Sequence, residues 1–143
     1  MAAAHDVVDS TTDTVTERAT VLLYSDNRGT REDIKTLVGR RAAADTPLIA
    51  WEEVATDAAV LERVKAGGID LIVLDAETGR VGGIGLCRTL KTSIYQCPPV
   101  VLLIARQQDA WLASWSEADG VVSAPLDPVE LQQVVAAQLR AHT

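Results

Sequence analysis

Two aspartates carry the chemistry that this sequence suggests most directly. Asp26 comes just after the apolar run Thr20-Val-Leu-Leu-Tyr24, with Ser25 between them. Asp75 ends Ile69-Asp-Leu-Ile-Val-Leu-Asp75, the most strand-like stretch of the chain. A carboxylate placed where a buried strand runs out stands at the rim of a sheet, where open α/β sheets bind their ligands. Two such anions at one rim repel each other unless a cation joins them, and a hard, oxygen-liganded ion such as Mg²⁺ suits that role. Taken singly, each has an ordinary reading: Asp26 as the cap of a following helix, Asp75 as a solvated strand end.

Other chemistries are poorly supplied. The two histidines, His5 and His142, lie at the ends of the chain, so a Ser-His-Asp or Cys-His mechanism has no imidazole in the body of the fold. Cys87 and Cys97 stand ten residues apart, without CxxC spacing or a neighbouring histidine. That argues against a zinc knuckle or a disulfide framework and for two reduced thiols in a cytoplasmic protein. The glycines of Gly79-Arg-Val-Gly-Gly-Ile-Gly85 match neither GxGxxG nor a Walker loop, and they follow the third apolar run rather than the first. Asp75-Ala-Glu77 has the DxD spacing of haloacid-dehalogenase-type phosphatases. Those enzymes place it after the first strand and need a crevice lysine, whereas the lysines here are Lys35, Lys65 and Lys91.

The elements that position the aspartates follow from the hydropathy pattern. With 143 residues, 48% of them apolar, the chain fits one domain with a core of its own. Residues 1–18 lack an amphipathic period and an apolar h-region, and read as a mobile tail ahead of a domain over 19–143. From Ala19 onward, short apolar runs alternate with helical periods. Strands are expected over Thr20–Tyr24, Pro47–Val54, Ile69–Asp75, Pro99–Ile104 and Gly120–Ala124. Between them, Ile34/Leu37/Val38, Val60/Leu61/Val64, Ile84/Leu86/Cys87/Leu90, Trp111/Leu112/Trp115 and Leu131/Val134/Val135/Leu139 recur at helical spacing. Thr30-Arg-Glu-Asp33 has capping-box spacing, Thr56 is placed to cap the second helix, and Asp127-Pro128 to open the last. Uniformly aliphatic strands separated by helices imply a parallel sheet covered on both faces. Right-handed crossovers make it a doubly wound, flavodoxin-like (βα)₅ fold of strand order 2-1-3-4-5, which sets strands one and three side by side and brings Asp26 and Asp75 to one crevice.

The net charge of −7 disfavours binding to phosphate backbones or anionic lipid, so neither nucleic acid nor membrane is an expected partner. The longest apolar stretch, Pro98–Ala105, is far too short to span a bilayer.

Over about Ala19 to His142 the chain resembles the CheY-like receiver domains of two-component response regulators. The matching stretches are Asp70-Leu-Ile-Val-Leu-Asp75 followed by Gly83 and Ile84-Gly-Leu-Cys-Arg88, the strand before Ser25-Asp26, and Ala118-Asp-Gly-Val-Val-Ser-Ala-Pro125-Leu-Asp-Pro-Val-Glu-Leu131. The resemblance implies phosphorelay signalling, with Asp75 as phosphoacceptor and Mg²⁺ held by Asp26, Asp75 and the backbone carbonyl of Glu77. It also implies a histidine kinase or downstream protein as partner, and possible homodimerisation through helix 4, strand 5 and helix 5, with Trp111 and Trp115 as candidate contacts.

Four positions depart from the family pattern. Ser25 stands where the first of two adjacent acidic residues is usual, and Ile104 where strand four ends in Thr or Ser. Val121 replaces an aromatic switch residue, and Ala124 the lysine before the proline. Arg106, two residues past Ile104, is a conceivable substitute for the lysine. In the family the lysine and the hydroxyl bind new phosphoryl oxygens, each charge-assisted bond being worth ~1.5–3 kcal/mol, so their loss weakens the switch. The expected function is therefore an atypical single-domain response regulator acting by protein–protein interaction, with phosphorylation at Asp75 weak or absent. A working phospho-receiver using Mg²⁺ is the alternative, and a flavodoxin-like or phosphatase-like enzyme a lesser one. The absence of Phe disfavours a flavin site.

Overall fold

A computed structural model describes residues 18–77, 82–106 and 110–142. Residues 1–17 of the tail expected over 1–18, and the stretch 78–81, which holds Gly79, lie outside the described residues, while Arg18 opens the first strand. Strands β1 (Arg18–Tyr24), β2 (Leu48–Val54), β3 (Leu71–Asp75), β4 (Val100–Ile104) and β5 (Gly120–Ser123) alternate with helices α1 (Arg28–Val38), α2 (Asp57–Lys65), α3 (Gly82–Ser93), α4 (Ala110–Ser116) and α5 (Pro128–His142). All strand pairs are parallel and the order is β2-β1-β3-β4-β5, as the alternation of aliphatic runs and helices requires.

The sheet divides the core into two layers. Val21, Leu23, Val73, Val101 and Leu103 pack with Ile34 and Val38 of α1 and Leu131, Val135 and Leu139 of α5. Leu22, Ile72, Leu74, Leu102 and Ile104 point the other way, onto Val60 and Val64 of α2 and Leu86, Cys87 and Leu90 of α3. Because successive strand residues face opposite layers, a strand buried on both sides must be aliphatic throughout. Burial pushes the Cys87 thiol up to about 11, so it stays protonated at neutral pH; both cysteines are free. Among the described residues no helix is long and apolar enough to cross a membrane.

The caps differ in one place from expectation. Thr56 and Asp127 accept from the amides of Ala59 and Glu130, as their positions predict. The first helix instead opens at Arg28, capped by Asn27, whose Oδ1 accepts from the Thr30 amide at 2.9 Å. The capping box over Thr30–Asp33 therefore does not form: Thr30 already lies inside the first turn, where its amide is the one being capped.

Candidate functional site

The crevice is assembled by strand register. Tyr24 pairs with Leu74, so Ser25 and Asp75, the next residues along, come side by side as β1 and β3 end. Asp75 in turn pairs with Leu103, and Ile104 with Ser123, which brings the ends of β4 and β5 to the same rim. Asp75 is half-buried there, while Asp26 and Glu77 are exposed. Burial raises the pKa of the Tyr24 phenol above the usual tyrosine value, and the charges of Asp57, Asp26 and Asp75 raise it further.

Among the described residues, Ser25 and Glu77 both hold the Asp75 side chain. The fully buried Ser25 hydroxyl donates to Asp75 Oδ2 at 2.9 Å, and the Glu77 amide donates to Oδ1 at 3.0 Å. Ser25 Oγ accepts from the Asn27 amide at 3.1 Å, and the Ser25 carbonyl accepts from Arg31 Nη1 at 2.6 Å. Arg31 also pairs through Nε with Glu53 on β2, whose carboxyl the adjacent Lys35 and Arg31 hold below the usual glutamate range. The sequence reading did not single out Arg31, although a basic residue one turn into a helix that starts at the crevice was the available signal.

Behind Asp75 the backbone is pinned by Gly83 of α3, whose amide donates to the Ala76 carbonyl. A Cβ at this position would stand 2.5 Å from the Asp75 carbonyl oxygen, so only glycine lets α3 approach this closely.

On the opposite side lies a cavity of about 140 Å³ lined by Asp75, Glu77, Leu103, Ile104, Ala105, Ala124 and Leu126. Ile104 is buried and Ala124 exposed, so the two departures from the family pattern meet at this cavity. Val121 is half-buried against the α2/α3 layer. Arg106 is exposed just past β4.

Asp26, Asp75 and the Glu77 carbonyl would offer hard oxygens to a divalent cation, and each Asp75 oxygen also accepts a protein hydrogen bond, which leaves it a lone pair. Among the described residues, no three His, Cys, Asp or Glu side chains group as a metal site.

Trp111 and Trp115, one turn apart on α4, are 68% and 50% exposed, so neither serves to pack the helix onto the sheet. Arg88 of α3 lies over the Trp115 ring at 5.2 Å, donates to the Trp115 carbonyl and pairs with Glu117.

No family model matches the chain. It is 43% identical over 121 residues to an uncharacterized response regulatory protein of Mycobacterium tuberculosis (strain H37Rv), covering 85% of this chain and 91% of that one. It is 31% identical over 128 residues to a transcriptional regulatory protein of Bacillus subtilis, of which it spans 49%. Among solved structures, a Francisella response regulator receiver domain superposes with a TM-score of 0.74 at 20% identity, covering 87% of this chain and 99% of that one. The receiver domain of a histidine kinase from Syntrophus aciditrophicus gives 0.71 at 22%, covering 86% and 91%. The Mycobacterium relative shows the family and the superpositions show the fold: this chain belongs to the response regulators of two-component signalling, as a CheY-like receiver domain.

Proposed function

We propose that this receiver works as a protein-interaction module in which phosphorylation of Asp75 is weak or is not transmitted to β4 and β5. The observation that carries this reading is the composition of the cavity beside Asp75. Among the described residues, its lining beyond Asp75 and Glu77 is Leu103 and Ile104 at the end of β4 and Ala105, Ala124 and Leu126 just past β4 and β5, none of which brings a cation or a hydroxyl. A phosphoryl group on Asp75 would add charge and acceptor oxygens beside methyl groups, which gain nothing by moving toward it. A switch needs a differential interaction between its two states, and these walls supply none. Output then falls to surfaces present in both states. The exposed Trp111/Trp115 pair with Arg88 beside it has the composition of a contact surface for another protein. Its partner in this reading is a histidine kinase or a downstream protein.

A working phospho-receiver is the second reading. It is favoured by one observation, the fixed orientation of the half-buried Asp75 carboxylate at the rim. The two separate when the protein is incubated with Mg²⁺ and acetyl phosphate and its intact mass is followed. Transfer of the phosphoryl group to an Asp75 oxygen releases acetate and adds one phosphoryl mass. The module reading expects a small adduct fraction, and amide spectra of β4 and β5 unchanged in whatever fraction forms. A stoichiometric adduct, absent in Asp75→Asn and accompanied by shifts across β4 and β5, would establish the second reading instead.

A further inference from the structure

We infer that Ser25 is a positioning residue whose hydroxyl holds the Asp75 carboxylate in the role a divalent cation would otherwise fill, leaving the crevice with low affinity for Mg²⁺. A serine hydroxyl has one proton to donate and lone pairs to accept with. At Ser25 the Asn27 amide points at the oxygen at 3.1 Å, and the hydroxyl proton is directed to Asp75 Oδ2 at 2.9 Å. The Ser25 side chain is fully buried, so water does not reach its hydroxyl, while Asp75 is half-buried and Asn27 exposed. The residue is fixed at its main chain as well, because Arg31 donates to its carbonyl at 2.6 Å while anchored to Glu53. Asn27 is held in turn by capping α1. The first turn of α1 is thereby wired through Ser25 to Asp75.

Two consequences follow for a cation. Hydrogen bonds from Ser25 and from the Glu77 amide hold the carboxylate where it stands, so Asp75 does not depend on a metal for its orientation. A neutral hydroxyl also lowers the charge facing the crevice mouth by one relative to a carboxylate, and affinity for hard cations follows the charge of the ligand set. This inference does not rest on whether Asp75 ever receives a phosphoryl group, since what it concerns is cation binding and carboxylate orientation.

The test is a MgCl₂ titration of the ¹⁵N-labelled chain, following the amides of Asp26, Asp75 and Glu77 in wild type, Ser25→Asp, Ser25→Ala and Ser25→Asp/Asp75→Asn, each checked for folding by its melting curve. Ser25→Asp is expected to bind Mg²⁺ at least about tenfold more tightly than wild type, as one added ligand charge should produce, and the double variant to lose that gain. Ser25→Ala is expected to move the Glu77 amide and speed its hydrogen exchange, because the carboxylate it donates to is no longer held. That second readout decides the matter if the buried aspartate prevents folding. Wild type saturating with Mg²⁺ as tightly as Ser25→Asp, or a Glu77 amide indifferent to Ser25→Ala, would overturn the inference.

Discussion

The two flanks of Asp75 are built from opposite materials. On the β1 flank, Ser25, Asn27, Arg31 and Glu53 form a connected chain of hydrogen bonds and ion pairs that ends on the carboxylate. On the β4/β5 flank, Ile104, Ala124 and Leu126 leave a small apolar cavity. Both flanks are brought to the rim by the same parallel register, so the difference lies in side chains and not in topology. One parallel register can therefore set polar partners on one side of a carboxylate and apolar walls on the other.

Three measurements press on this asymmetry. The largest effect is expected from Gly83→Ala, which sets a methyl group against the Asp75 and Ala76 backbone. Backbone cannot step aside as a flexible side chain would, and overpacking of this kind costs about 3 kcal/mol, read as a lower urea midpoint with an unchanged slope. A near-neutral result would mean that α3 does not constrain the Asp75 turn.

A paired comparison comes next. Ser25→Ala removes a buried donor from a charged acceptor and is expected to cost roughly 2 kcal/mol. Ala124→Ser, at an exposed position across the cavity, should stay within about 0.5 kcal/mol. Equal costs on the two flanks would dissolve the contrast.

The smallest effect concerns Tyr24. Its raised pKa is a stabilising linkage with a definite sign: full below the unfolded tyrosine value, lost as pH rises through the higher folded one. In a Tyr95→Phe background, where Tyr24 is the remaining tyrosine, phenolate absorbance should therefore titrate above the ordinary midpoint of 10.0. Asp57→Asn should lower that midpoint more than Asp75→Asn does, because the Asp57 charge acts on the phenol more strongly. The reverse order would place Asp75 closer to Tyr24 than the β1 flank described above requires.

Much of this was legible in the chain because it depends on periodicity. Aliphatic runs such as Leu71–Leu74 and Val100–Ile104 must be strands buried on both faces, and the helical spacing between them leaves few ways to wind the sheet. The departures Ser25, Ile104, Val121 and Ala124 were equally visible, since each is a residue type at a definite place in a motif. The first helix cap was misjudged because Asn27 and Thr30 are both good caps in sequence, and only the path of the chain leaving β1 selects between them. Trp111 and Trp115 were ambiguous for a related reason: helical spacing puts both on one face without saying whether that face meets the sheet or the solvent.

By itself, then, the sequence determined the order of elements and the doubly wound sheet, because these follow from short-range pattern and the handedness of crossovers. What Asp75 touches was decided only by tertiary structure. The Ser25 hydrogen bond spans fifty residues, and the Arg31–Glu53 pair links a helix to an edge strand. Whether a serine at a strand end is solvated or becomes a buried donor depends on which neighbour the sheet sets beside it, at a precision of tenths of an ångström that no local spacing encodes.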